Sequence, residues 1–273
     1  MKILIATDME GVTGVIHWDQ VSPSHPEYAR FRHLMSGDVN AAVRGALDAG
    51  ADEIIVTDGH NDGKNILIEE LDSRARLNSG SSAPFNMVQG IDSGVDGVFF
   101  VGYHARIGTQ NAILEHTWSD ERVANLWINS QLFGEIGLNA AVCGHFGVPV
   151  LMISGDQSAC AEAVELLGDV ETAIVKQATG RMTAELLPPQ VSQSRIQQAA
   201  YEAISRLKDG TAPAPLKLPA PITMTLELVH SEMADRAARL PGAQRHERRL
   251  EYTAPDMPTL YAAFISALAL ARR

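Results

Sequence analysis

Short apolar runs that end in polar loop residues, separated by helical patterns, constrain this chain more than any other feature. The runs are Ile3–Ala6, Ile54–Val56, Val98–Val101, Val148–Ile153 and Ala173–Val175. They are rich in Val, Ile and Phe and show little alternation, the pattern of strands buried on both faces of a parallel sheet. Between the first two, Pro26 to Ala49 sets apolar residues at Tyr28, Phe31, Met35, Val39, Val43 and Leu47. That spacing suits one long or two short amphipathic helices, with Gly50 as the stop. Ser158–Leu167, with Asp156 as a cap, and Ser194–Leu207 read as further helices. Such alternation predicts an α/β fold, a layered and mostly parallel sheet flanked by helices.

Two segments depart from the pattern. Val123–Asn129, Ser130-Gln131 and Leu132–Phe133 read as a hairpin leading into a helix that begins near Gly134-Glu135. Residues 209–221 are rich in Pro and Ala and cannot form regular helix or a central strand. The expected organisation is therefore a catalytic α/β domain over 1–208, a connection over 209–221 and a small α+β portion over 222–273. That last portion is read as a strand (Ile222–Val229), a short helix (Glu232–Leu240), a charged strand (Arg245–Tyr252) and a final helix (Asp256–Ala271). So short a piece has too little core to stand alone, and is expected to pack on the main domain or on a neighbouring subunit.

Charge and composition narrow the function. In 273 residues, 33 acidic side chains outnumber 22 basic ones, for a net charge of −11. That balance disfavours nucleic acid and anionic membrane surfaces as partners. No apolar run is long enough to span a bilayer, and the N-terminal stretch lacks the design of a signal peptide, so a cytoplasmic location is expected. Cys143 and Cys160, the two cysteines, are too few for a disulfide framework and lie in Ala-rich helical stretches that should bury them.

Ligands collect at the carboxyl ends of strands in open parallel sheets. Three strand ends here carry chemistry: Asp8-Met9-Glu10-Gly11, Asp58-Gly59-His60-Asn61 and Gly102-Tyr103-His104-Ala105. Asp8 and Glu10, one residue apart, share a face in extended backbone, where two carboxylates repel unless a cation or proton intervenes. His60 and His104 would complete a metal site, and two imidazoles with carboxylates suit Zn²⁺, Mn²⁺ or Co²⁺ better than Mg²⁺. Glu135 falls in the first turn of a helix, which the helix dipole alone would favour. Asn139, on the same face, could hold Glu135 or a substrate. His116, in a loop after His104, is an acid/base or nucleophile candidate. His17, His25, His33, His230 and His246 lack any carboxylate pattern and read as surface or packing residues, and His145 as a favourable helix-end cation.

Together, Asp8-Met9-Glu10-Gly11, His60, Gly102-Tyr103-His104-Ala105, His116 and Gly134-Glu135-Ile136-Gly137-Leu138-Asn139-Ala140 resemble the bacterial D-aminopeptidase family, the DppA-type zinc peptidases. The resemblance runs on through Pro149-Val150-Leu151-Met152, Gly155-Asp156 and Val175-Lys176-Gln177, and weakens beyond the Pro/Ala-rich segment. It implies a dinuclear zinc site in which Asp8 bridges, Glu10 and His60 complete one ion, His104 and Glu135 the other, and His116 is the catalytic histidine. It also implies release of N-terminal residues from short D-amino-acid peptides, and a homodecamer. Glu115 and Thr117 flank His116 where small hydroxyl residues are usual, and Gly59 precedes His60 where Ser can stand, departures that bear on substrate preference.

Two other readings compete. Asp8-Met9-Glu10-Gly11-Val12-Thr13-Gly14 is similar to the first motif of haloacid-dehalogenase-like, Mg-dependent phosphatases, with Asp8 as nucleophile, although Glu stands at the second acidic position and His60, His104 and Glu135 are then unused. The other is a non-catalytic assembly or binding protein on the same scaffold.

Overall fold

A computed structural model describes residues 1–81 and 84–272. Its elements in chain order are β1 (Lys2–Thr7), α1 (Tyr28–Asp48), β2 (Glu53–Asp58), β3 (Ala75–Asn78), β4 (Gly97–Val101), β5 (Val123–Ile128), β6 (Gln131–Leu132) and α2 (Glu135–His145). There follow β7 (Val150–Asp156), α3 (Gln157–Leu167), β8 (Glu171–Gly180), β9 (Thr183–Leu186), α4 (Pro189–Lys208), β10 (Ile222–Leu228), α5 (Ser231–Ala237), β11 (Gln244–His246), β12 (Arg249–Ala254) and α6 (Met257–Leu270).

The main sheet has the order β3-β2-β1-β4-β7-β8-β9 and is parallel except for β9 on β8. Its inner strands are apolar on both faces because both faces are covered. Ile3, Ile5, Ile54, Val56, Phe99 and Val101 pack under α1 and α4, while Leu4, Ala6, Ile55, Val98 and Phe100 pack toward α2, α3 and a second sheet. Helix α1 is one continuous helix. It buries Phe31, Met35, Val39, Ala42, Val43 and Ala46 at three- and four-residue spacing. At Gly45 a β-carbon would stand 2.1 Å from the Gln197 carbonyl, so the absent side chain is what lets α1 and α4 approach.

The second sheet, β11-β12-β10-β5-β6, is antiparallel. Its central pairing joins β10 to β5, so residues 222–254 build one sheet with the 123–132 hairpin. The 209–221 segment has no regular structure. It runs against α2, where a β-carbon on Gly144 would be 1.9 Å from the Leu216 carbonyl.

Some elements differ from the sequence expectation. Arg245–Tyr252 is not one strand but a hairpin of β11 and β12, turning at Glu247, which takes φ 55° without a glycine to mark it. Strands β3 and β9 escaped notice because they are four-residue edge strands without an apolar run. Helix α4 starts five residues before Ser194, with Pro189 in its first turn. Asp156 caps α3, accepting from the Ser158 and Ala159 N–H groups. Cys143 and Cys160 are buried in α2 and α3, and burial pushes their thiols well up.

Candidate metal centre

The strand ends of the main sheet stay locked together past their last residues. Asp8 N–H donates to the Val101 carbonyl (2.9 Å), Gly11 N–H to Gly102 (2.8 Å), Gly59 N–H to Thr7 (3.0 Å) and Tyr103 N–H to Ser154 (3.0 Å). A β-carbon at Gly11 would lie 1.9 Å from the Tyr103 carbonyl, so only glycine lets the two ligand-bearing loops press together. Gly59 is similarly confined, 2.7 Å from the Thr7 carbonyl at its would-be β-carbon, which leaves no room for Ser. The turn after β2 is folded by the Asp58 carboxylate, which accepts from the Asn65 and Ile66 N–H groups at 2.5 and 2.8 Å.

On this frame Asp8, Glu10, His60, His104, His116 and Glu135 converge, all buried. Asp8 divides its carboxylate between two imidazoles. Oδ1 is 3.2 Å from His60 Nδ1, and Oδ2 is 3.4 Å from His104 Nε2. Glu10 Oε2 lies 3.1 Å from the same His60 Nδ1. Glu135 Oε1 is 3.1 Å from His104 Nε2 and 3.5 Å from His116 Nε2.

The far ring nitrogens set the tautomers. His104 Nδ1 donates to Ala105 (3.0 Å) and His116 Nδ1 to Leu114 (2.8 Å), while His60 Nε2 sits between the Val21 carbonyl (2.8 Å) and the Asn61 side-chain amide (2.7 Å). Each assignment turns a bare nitrogen lone pair toward the carboxylates, the arrangement metal-binding histidines adopt. The His104 and His116 rings stack at 3.9 Å between centroids, and Trp18 meets His116 edge-on.

Asp8 Oδ2, Glu10 Oε2 and His104 Nε2 are buried without a hydrogen-bond partner. Buried polar atoms rarely stay unpaired, so three of them facing one point call for an ion. The ligand atoms of Asp8, Glu10 and His104 lie within 4.8 Å of one another, as do those of His104, His116 and Glu135. Electrostatics points the same way. Burial, then Glu10, pushes the Asp8 carboxyl up to about 7. Burial also works on Glu10 and Glu135, but the imidazoles outweigh it and hold both low. Burial opposes charge on His60 and His104 too, yet the carboxylates raise both well above the ordinary histidine range. With protein groups alone the cluster recruits protons where it lacks positive charge. Imidazole and carboxylate donors fit zinc.

The cluster opens into a cavity of about 560 Å³ lined by Asp8, Glu10, His60, His116 and Glu135, with Trp18, Met87, Trp118 and Arg122 among its walls. That size suits a short peptide. His104 lies behind this lining. Asn139 is fully buried and outside it, its amide donating to the Tyr103 hydroxyl (3.1 Å) and to Met87 Sδ (3.3 Å). Glu115 accepts from Gly108 N–H (2.9 Å) and pairs with Arg181 (3.2 Å), and Thr117 Oγ1 accepts from Ile107 N–H (3.3 Å). Both flanks of His116 therefore staple its loop. The histidines set aside from the sequence lie outside the cavity lining.

Sequence reasoning missed Trp118 and gave Lys176 no role. Trp118 N–H donates to Glu135 Oε1 (2.6 Å), while its ring packs edge-on against Tyr261 and Phe264 of α6. Nothing local in the sequence joins residue 118 to 264. Lys176 did carry a signal, a lysine in the middle of an apolar strand.

The likeness to known proteins covers the whole chain. The D-aminopeptidase family model matches residues 1–266. A D-aminopeptidase of Bacillus subtilis (strain 168) is 34% identical over 275 residues, spanning 100% of this chain and 98% of the relative. The solved structure of the zinc-dependent D-aminopeptidase DppA from Bacillus subtilis, described as a self-compartmentalizing protease, is similar with a TM-score of 0.95 and 33% identity, over 100% of this chain and 98% of that one.

Proposed function

The chain belongs to the D-aminopeptidase family and is a metal-dependent aminopeptidase; we propose that it uses two zinc ions per subunit to release N-terminal residues from short D-amino-acid peptides. The observation that carries this is the division of the Asp8 carboxylate between His60 and His104, with its unpaired Oδ2 beside the unpaired His104 Nε2. In this reading Asp8 would be shared between two ions, Glu10 and His60 would hold one, and His104 and Glu135 would hold the other. Zinc in such a site supplies an activated water and a Lewis acid for the scissile carbonyl. Mn²⁺ or Co²⁺ would suit the same donors.

The chain's own groups do the rest. His116 Nε2 is aimed at the cavity by the Nδ1–H bond to Leu114, and burial followed by the His104 charge keeps its pKa low. A neutral imidazole with Nε2 bare can take a proton or attack, and once protonated there can donate to developing charge. Trp118 N–H fixes Glu135, and Trp18, Met87 and Trp118 place apolar groups among the walls around the reacting bond. Asn139, bonded to Tyr103 and Met87, would act on substrate through those neighbours. The relative's self-compartmentalizing character supports self-association, and the family resemblance implies a ring of ten subunits. The phosphatase reading of Asp8 leaves His60, His104 and Glu135 beside it without a task, and the family match favours neither it nor the non-catalytic reading.

Hydrolysis of D-Ala-D-Ala and of its L counterpart, before and after chelation and with zinc restored, tests the proposal. Release of free D-alanine that stops on chelation and returns with zinc is expected. Hydrolysis of L-peptides only, or activity untouched by chelation, would overturn it.

A further inference from the structure

The loop that carries Asp8 and Glu10 wraps around a buried cation that belongs to the protein itself. Lys176, on β8, is almost completely buried, and its Nζ donates to three backbone carbonyls of one short loop, Glu10 (2.6 Å), Val12 (3.0 Å) and Val15 (2.7 Å). Three donated bonds require all three ammonium hydrogens, so the group is charged. Among the described residues no carboxylate oxygen forms an ion pair with it; burial lowers its pKa to about 8, against the attraction of Asp156, Asp38 and Glu10. Three carbonyl dipoles converging on one point repel one another without a cation, so the loop's curvature depends on this ammonium. The same loop is held on its other side by Asp38 of α1, which accepts from Thr13 N–H and Oγ1 (both 2.9 Å), while the Ser192 hydroxyl of α4 lies 2.8 Å from Thr13 Oγ1.

We propose that Lys176 is a positioning residue for the metal centre, shaping the 10–15 loop into a carbonyl cage that sets where the Glu10 carboxylate points. The inference rests on the reading of Glu10 as a zinc ligand. Lys176 touches neither substrate nor metal; it acts through the backbone carbonyl of Glu10. Its effect therefore falls on the ion that Glu10 shares with His60, and spares the ion that His104 and Glu135 hold. Outer groups that orient ligands typically govern metal affinity by about 10–100-fold.

The test is a zinc titration against a chromophoric chelator, using full-length wild type, Lys176→Met, Lys176→Gln and Leu250→Ala. Leu250 is buried in the second sheet, away from the loop, and its truncation serves as a control for lost stability. Wild type should bind two equivalents. In both Lys176 variants one equivalent should weaken tenfold or more while the other is unchanged, and Leu250→Ala should bind like wild type. Lys176→Gln, which keeps two donors, should weaken less than Lys176→Met. Equal affinities in wild type and folded Lys176 variants would overturn the inference. So would an equal loss in Leu250→Ala, or failure of both Lys176 variants to fold, since that work would not be confined to one loop. Fewer than two equivalents in wild type would instead strike the dinuclear reading beneath it.

Discussion

His60, His104 and His116 each set one ring nitrogen against a backbone carbonyl and the other toward carboxylates; in the proposed centre only His116 has a role separable from metal binding. His116→Ala should keep its zinc and lose at least about 100-fold in kcat, the scale of a positioned proton-transfer group. Zinc analysis beside steady-state kinetics checks this, and loss of an equivalent would make His116 a ligand. At this scale the sequence was highly legible. Asp8, Glu10, His60, His104, His116 and Glu135 are the polar residues that follow apolar strands or open a helix, and the structure brings all six together. Lys176 was assigned nothing, because its partners are carbonyls, which every residue carries and no motif reveals. The histidines set aside lie exposed and away from the cluster, with His17 and His25 beside Asp19 and His33 beside Glu70.

Between elements, the site depends on contacts that sequence spacing cannot show. Helix α6, at the far end of the chain, braces Trp118, whose N–H holds Glu135. Truncating the fully buried Phe264 to Ala should cost about 3–5 kcal/mol in denaturant unfolding. It should also lower activity under conditions where the variant stays folded. Asp38 links α1 to the metal loop, and burial, against the pull of Thr13, Lys176 and Gln193, pushes its pKa up from 3.8 to about 6. The folded state thus binds this proton more tightly than the unfolded state. Its stabilising contribution is complete below pH 3.8 and is lost as pH rises through 6. In metal-free protein, wild type should lose up to about 3 kcal/mol relative to Asp38→Asn between pH 4 and pH 7. An unchanging difference across that window would contradict the shift. The inner strands were legible because burial on both faces leaves an unbroken apolar run. Strands β3, β9 and β11 were not, since edge strands need only backbone partners.

In the molecule as a whole the two sheets meet at the candidate metal centre: Asp8, Glu10, His60 and His104 follow strand ends of one and Glu135 opens α2, while α6, packed on the other, braces the Trp118 loop. A metal bound only by the folded chain stabilises it by mass action, about 4 kcal/mol per ion at a thousandfold excess over Kd. Chelation should therefore lower Tm, and stoichiometric zinc should restore it. The proposed ring predicts ten chains per particle by light scattering. The α/β class was readable from strand–helix alternation, whereas the union of residues 222–254 with the 123–132 hairpin in one sheet was not, because the partners lie about a hundred residues apart. Among the described residues no helix is long and apolar enough to cross a membrane. In the proposed centre Asp8 is shared by two zinc ions. Mass-spectrometric metal content per chain, for wild type and Asp8→Ala purified without chelator or added metal, tests it most directly. Near two zinc equivalents in wild type, falling below one in the variant, is the predicted result; magnesium alone, or undiminished zinc in Asp8→Ala, would contradict it.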